Sequence, residues 1–115
     1  MKEAKSQVKY EDFAKVDVRI GTILTAERLK KSEKLMKLEV DFGSLGKRQI
    51  LAGIAVWYQP EELIGVQTTF VFNLEPRMMM GLESQGMLFA VGLDDDSKPV
   101  LLLPREKIEN GDGAR

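Results

Sequence analysis

The 115-residue chain contains neither cysteine nor histidine. Ser-His and Cys-His nucleophilic sites are therefore excluded, and so are zinc sites of the Cys/His kind. Disulfides are excluded as well, which agrees with a cytoplasmic setting. No apolar run approaches the ~20 residues that a membrane-spanning helix needs, so no membrane partner is expected. The first residues, Met1 to Gln7, are charged and lack the apolar segment of a secretory signal. Aromatic residues are scarce, and Trp57-Tyr58 is the one adjacent pair of its kind. An excess of one charge is missing too, with a formal net charge of −1.

What remains is the composition of one globular domain, 43% hydrophobic and 30% charged. Carboxylate pairs such as Glu75 and Glu83 are available for acid–base work, but no partner chemistry accompanies them. The expectation is a protein with no catalytic residues, no metal and no cofactor. The charges are unevenly placed. Arg28, Lys30, Lys31, Lys34 and Lys37 cluster around a single acid, Glu33, and Lys47-Arg48 and Arg77 add smaller basic sites. Acids gather at Asp94-Asp95-Asp96 and Glu61-Glu62. A near-neutral protein with a one-sided basic face can hold a polyanion, whereas a mixed, solvated surface holds nothing.

Residues 1–9 are polar and expected to be a flexible N-terminal segment. Tyr10 to Lys15 fits one helical turn that tucks Tyr10 and Phe13 onto the core. From Val16 to Ile20 apolar residues alternate, and Thr22 to Ala26 continues the strand beyond Gly21. A glycine inside a long strand marks a bulge or bend, a device by which one strand serves two parts of a small barrel. Arg28 to Lys34 reads as an exposed loop. Two strands follow, one alternating Leu38, Val40 and Phe42 against charged residues and one from Lys47 to Ala52, joined by the turn Gly43 to Gly46. Pro60-Glu61-Glu62-Leu63 starts a short helix that Gly65 stops. Trp57 and Tyr58, just before it, read as packing or as stacking platforms for bases. Further strands run from Thr68 to Phe72, Met87 to Val91 and Val100 to Leu103. Pro104 to Arg115 is polar and reads as a loose tail.

Five main strands, the first long and bent, with a helix between the third and fourth, predict an all-β, five-stranded OB-fold barrel with additional terminal strands. The domain is expected over residues 10–104, followed by a C-terminal tail, 105–115. Between the fourth and fifth strands lies Asn73 to Gly86, holding Pro76, Gly81, Asn73, Arg77, Ser84 and Gln85. It is either a shaped binding loop or a long connection whose polar groups face water.

Three segments carry a resemblance in series: Asp12 to Gly21 (DFAKVDVRIG), Gln49 to Ala55 (QILAGIA), and Asn73 to Met87, with NLEPR at its start and GLESQGM at its end. Together they resemble the tRNA-binding domain at the C-terminus of many methionyl-tRNA synthetases and in stand-alone tRNA-binding proteins. The match runs from about Tyr10 to about Pro104. The resemblance implies an OB-fold whose extra terminal strands pair two subunits into a homodimer. It also implies non-catalytic binding of tRNA by shape and phosphate charge, serving a methionyl-tRNA synthetase catalytic chain by delivering tRNA to it. Related CsaA-type export chaperones, which bind unfolded polypeptide, share the fold, and Ser84-Gln85-Gly86-Met87 favours the synthetase branch. Three places depart from the family pattern: Leu29 to Leu35, Met78 where another basic residue is common, and the tail.

On this reading the tRNA-binding residues are Lys30, Lys31, Lys34, Arg48, Asn73, Arg77, Ser84 and Gln85. The basic ones meet phosphates. Asn73, Ser84 and Gln85 hydrogen-bond to splayed bases or 2′-hydroxyls. Met80 or Met87 offers an apolar contact to a base face, although the run Met78-Met79-Met80 also reads as core filling.

Overall fold

A computed structural model describes residues 2–115; Met1, at the start of the segment expected to be flexible, lies outside the described residues. The chain begins with a single helical turn, α1 (Tyr10–Phe13), and then enters β1 (Val18–Arg28), an 11-residue strand. After β1 come β2 (Met36–Asp41), a 3-10 turn at Gly43–Leu45, β3 (Lys47–Ala52), the short helix α2 (Pro60–Leu63) and β4 (Gln67–Val71). Five short strands complete it: β5 (Arg77–Met79), β6 (Leu82–Ser84), β7 (Met87–Leu88), β8 (Ala90–Val91) and β9 (Val100–Leu101).

One curled sheet dominates, in the order β3-β2-β1-β4-β7, with β5-β6 and β8-β9 as separate hairpins. That order is the expected five-stranded barrel, opened between β3 and β7. As the bend in the sequence predicts, β1 serves two partners: Thr22 to Arg28 pair with β2, and Val18 to Thr22 with β4. The bulge lies between Ile23 and Thr25, beyond the glycine. Gly21 answers a different need. A Cβ there would stand 2.5 Å from Val40 and 2.8 Å from the Phe42 ring, so the hand-over point must lie almost flush on the core.

Alternation on β1 to β4 sends one face of each strand inward. Ile23, Met36, Leu38, Val40, Ile50 and Phe70 are buried, and Leu63 of α2 joins this cluster. Phe42 sits among them, edge-on to Phe70 and Phe72 at 5.6 and 5.0 Å between ring centroids. The Glu62 carboxylate accepts the Gln59 amide at 2.9 Å, fixing the start of α2.

Several local expectations are corrected. The α1 turn forms, but Tyr10 and Phe13 stay 82% and 59% exposed rather than on the core. Arg28 belongs to β1, not to a loop. The Met87 to Val91 strand is broken at Phe89, so β7 pairs β4 while β8 pairs β9. Met78 and Met80 are exposed and fill no core. The polar tail is held along β1: the Ile20 amide bonds the Asp112 carbonyl at 2.9 Å, the Gly111 amide the Ile20 carbonyl at 2.8 Å, and the Ala114 amide the Val18 carbonyl at 2.8 Å. It occupies the edge of β1 that β2 leaves open, and Gln67 and Asn110 side chains tie it further at 2.9 Å. Backbone edge groups want partners whatever the composition of the segment that supplies them.

Because a methyl at Gly21 has no space, Gly21→Ala is expected to destabilise the barrel by about 1–3 kcal/mol, as overpacking does. A urea titration checks this, with a lowered midpoint at unchanged slope as the expected result.

Candidate functional site

The segment between β4 and β7 is where the sequence concentrates polar residues, and it contains a hairpin, β5–β6, which the sequence pattern did not show. Its two strands are too short to carry a periodic signal. Three polar side chains at its base work inside the protein. The Asn73 carbonyl oxygen Oδ1 accepts the Asp17 amide at 2.8 Å, and its Nδ2 donates to the Lys15 carbonyl at 2.6 Å. Ser84 is 3% exposed; its Oγ accepts the Leu51 amide and donates to the Gly86 carbonyl, each at 3.0 Å. The Gln85 side-chain oxygen accepts the Gln49 amide at 3.0 Å, and its backbone amide donates to the Gln49 carbonyl at 2.8 Å.

Arg48 works in the same way. Its guanidinium lies 3.5 Å from the centre of the Phe72 ring and donates to the Phe72 carbonyl and, at 3.2 Å, to the Gln85 carbonyl. It is half-buried, so its charge stays at the surface in one fixed position. Arg28 is similarly occupied, donating to the Ala55 carbonyl and to the Tyr58 carbonyl at 2.9 Å. These bonds hold the 53–59 loop against the end of β1.

The arrangement leaves an open groove of about 640 Å³. Leu51, Ile54, Leu74, Met79, Met87 and Leu88 give it apolar walls, and Arg77 and Glu75 supply its charge. Arg77 and Ser84 are paired across the hairpin and both line the groove. Arg48, Asn73 and Gln85 border an adjoining depression, and Leu74 lines both. Of the expected residues, Arg77 and Ser84 therefore line the groove, and Arg48, Asn73 and Gln85 the depression beside it. Lys34 lies outside the groove; its backbone carbonyl accepts the Ala55 amide, next to the groove-lining Ile54, at 3.0 Å. Lys30 and Lys31 stand on the exposed turn between β1 and β2, and nothing brings them into the groove itself.

Among the described residues, the Lys30, Lys31, Lys34 and Arg77 side chains make no ion pair. Their charges are available to a ligand. Beyond Arg48, a further depression of about 330 Å³ is bordered by Lys37, Lys47 and Gln49, of which sequence reasoning singled out none as a site residue. The signal was present only as the charges at the two ends of the β2–β3 hairpin.

Past Gly53 and Pro99 the groove adjoins a depression bordered by Lys2, Trp57, Asp94 and Asp95, where Lys2 pairs with Asp95 at 3.0 Å. The Ser97 hydroxyl, 2.8 Å away, and the Asp96 amide hold the Asp94 carboxyl below its ordinary range, so it stays anionic. Tyr58 packs against the core, and burial, reinforced by the Glu62 charge, raises its phenol above the ordinary value. Its hydroxyl donates to the Pro99 carbonyl at 2.7 Å, so packing, not stacking on a base, is its role. Among the described residues no acidic cluster is arranged to hold a metal ion, and no helix is long and apolar enough to cross a membrane.

Since Ser84 satisfies two backbone groups at the closure, Ser84→Ala is expected to cost about 1–3 kcal/mol, the penalty for buried groups left unpaired. Hydrogen exchange at the Leu51 amide should accelerate in the variant, alongside a lower urea midpoint.

The family model described as "Putative tRNA binding domain" matches residues 18–113. A methionine–tRNA ligase of Methanothrix thermoacetophila is 48% identical over 111 residues, covering 96% of this chain and 16% of the ligase. The corresponding ligase of Archaeoglobus fulgidus is 48% identical over 109 residues, again covering 16% of its length. The chain thus spans about a sixth of these curated relatives. Among solved structures, a MetRS-related protein of Pyrococcus horikoshii superposes with a TM-score of 0.88 at 37% identity, covering 96% of this chain and all of that one. The chaperone CsaA of Bacillus anthracis gives 0.85 at 35% identity, with the same coverage. The chain belongs to the tRNA-binding domain family.

Proposed function

We propose that this chain binds tRNA without catalysing a reaction on it, by shape and phosphate charge, and that it helps deliver tRNA to a methionyl-tRNA synthetase catalytic chain. One observation carries the reading: Arg77, whose side chain makes no ion pair among the described residues, lines an apolar-walled groove and Arg48 borders the depression beside it, while the polar residues nearby are consumed in fixing its shape. Lys30, Lys31, Lys34 and Arg77 meet phosphates; Arg48 adds a fixed positive charge. Asn73, Ser84 and Gln85 act as the frame of the site, which narrows the role first expected of them.

Counterion release supplies most of the affinity of such contacts, so binding should fall steeply with salt. Titration of unfractionated tRNA at several salt concentrations tests it. The variant with Lys30, Lys31 and Lys34 all changed to Ala should show a log–log slope shallower by about two to three, near 0.7–0.9 per lost contact. An unchanged slope in that variant would remove these lysines from the interface.

The chaperone reading, polypeptide holding of the CsaA kind, is favoured by one observation, the solved CsaA structure at 35% identity. Suppression of client aggregation without tRNA binding would decide for it.

A homodimer is part of the same proposal. Val91, Leu93, Val100 and Leu103, on and beside the β8–β9 hairpin, are each more than half exposed, at 53, 58, 57 and 62%. A second copy of the chain would cover this apolar face. Sedimentation should then give twice the chain mass, and Val100→Asp should shift it toward the single chain with the fold intact.

A further inference from the structure

Among the described residues, Met80 is the single non-glycine residue at positive φ, 52°. It and Gly81, at 79°, form the two-residue connection between the paired residues Met79 and Leu82. Positive φ at both positions is the type I′ turn, which suits the twist of paired strands and favours Asn, Asp or Gly. Methionine is poorly suited to that place. Its Cβ disfavours the left-handed region, and it has no short polar group to bond its own backbone there.

Packing does not explain its presence. Met80 is 53% exposed and Met78, one strand position before the groove-lining Met79, is 64% exposed. An unfavourable backbone therefore carries an apolar side chain into solvent, at the tip of a hairpin whose next two inward residues, Met79 and Arg77, line the groove. Strain kept without a packing return marks a position held for contact with something outside the chain.

We propose that Met80 is a binding residue: it packs on the face of an unstacked nucleobase of the tRNA whose backbone is held at Arg77. This rests on the reading of the groove as a tRNA site. The neighbouring charge favours RNA as the occupant, since Arg77 stands three positions away without an ion pair. A thioether is polarizable and flexible, and every base offers a π face, so such a contact is tolerant of sequence. Unstacked bases are what a folded tRNA exposes and a continuous duplex hides.

The test uses the full chain as wild type, Met80→Asn and Met80→Leu, titrated with unfractionated tRNA and with a blunt RNA duplex of similar length. Melting temperature and mass in solution are recorded for each. Met80→Asn should melt higher, because the turn accepts it more readily, yet bind tRNA about fivefold more weakly at an unchanged salt slope, the effect of removing part of one apolar side-chain contact. Its binding to the duplex should be unaltered, and Met80→Leu should bind tRNA nearly as wild type does. Undiminished tRNA binding by Met80→Asn would overturn the inference and leave the groove reading standing. So would an equal loss on tRNA and duplex, or a changed mass with RNA binding intact, which would assign the tip to a protein contact. Failure of the wild type to bind either RNA would overturn the groove reading itself, and this inference with it.

Discussion

Where the sheet is open, between β3 and β7, side chains and one backbone bond, from the Gln85 amide to the Gln49 carbonyl, close the barrel. Between β3 and the segment 83–86 no backbone ladder of regular length forms, yet the edge amides of Gln49 and Leu51 need acceptors. The Gln85 amide oxygen and the Ser84 hydroxyl provide them, each at 3.0 Å. Arg48 crosses the same seam to the Phe72 and Gln85 carbonyls while lying flat on the Phe72 ring. Gly86 lets the chain pass this closely, because a Cβ there would stand 3.1 Å from both Ile50 and the Val71 carbonyl. Everything described about the groove depends on this seam staying shut.

The seam divides the polar residues into two kinds. Those with short, hydrogen-bonding side chains are spent inside, where a fixed geometry has structural value. Of the long cationic side chains, Arg48 is held in the seam, whereas Lys30, Lys31, Lys34 and Arg77 make no ion pair among the described residues. Arg77 lines a groove whose shape it does not itself maintain, and Lys30, Lys31 and Lys34 stand outside it. Charge and shape are thus separable, and either can be altered with limited effect on the other.

Edges elsewhere follow the same economy of partners. The tail runs against the part of β1 that β2 does not reach, and its fit is close: a Cβ on Gly111 would meet the Phe42 carbonyl at 2.5 Å. The β8–β9 hairpin, by contrast, leaves apolar side chains in solvent. Two features of one small domain are therefore treated oppositely, one edge covered by its own chain and one apolar face left exposed.

Alternation along Val16–Ile20 and Leu38–Phe42, with the return of Lys47–Ala52 after a turn, made the main strands legible, and Gly21 marked the bend of β1, although its reason is the Phe42 ring and not a bulge. The order of strands and helix was enough for the barrel. Three things were not legible: the β5–β6 hairpin, the paired tail, and the inward use of Asn73, Ser84 and Gln85. By itself, then, the sequence determined the fold class, the absence of Cys and His chemistry, and the segments that place the chain in its family, all of which follow from composition and local period. Only the tertiary structure decided which polar residues are free to meet a ligand, because the partners that occupy Ser84 and Asn73 lie 33 and 56 positions away along the chain. No local pattern records a hydrogen bond of that span.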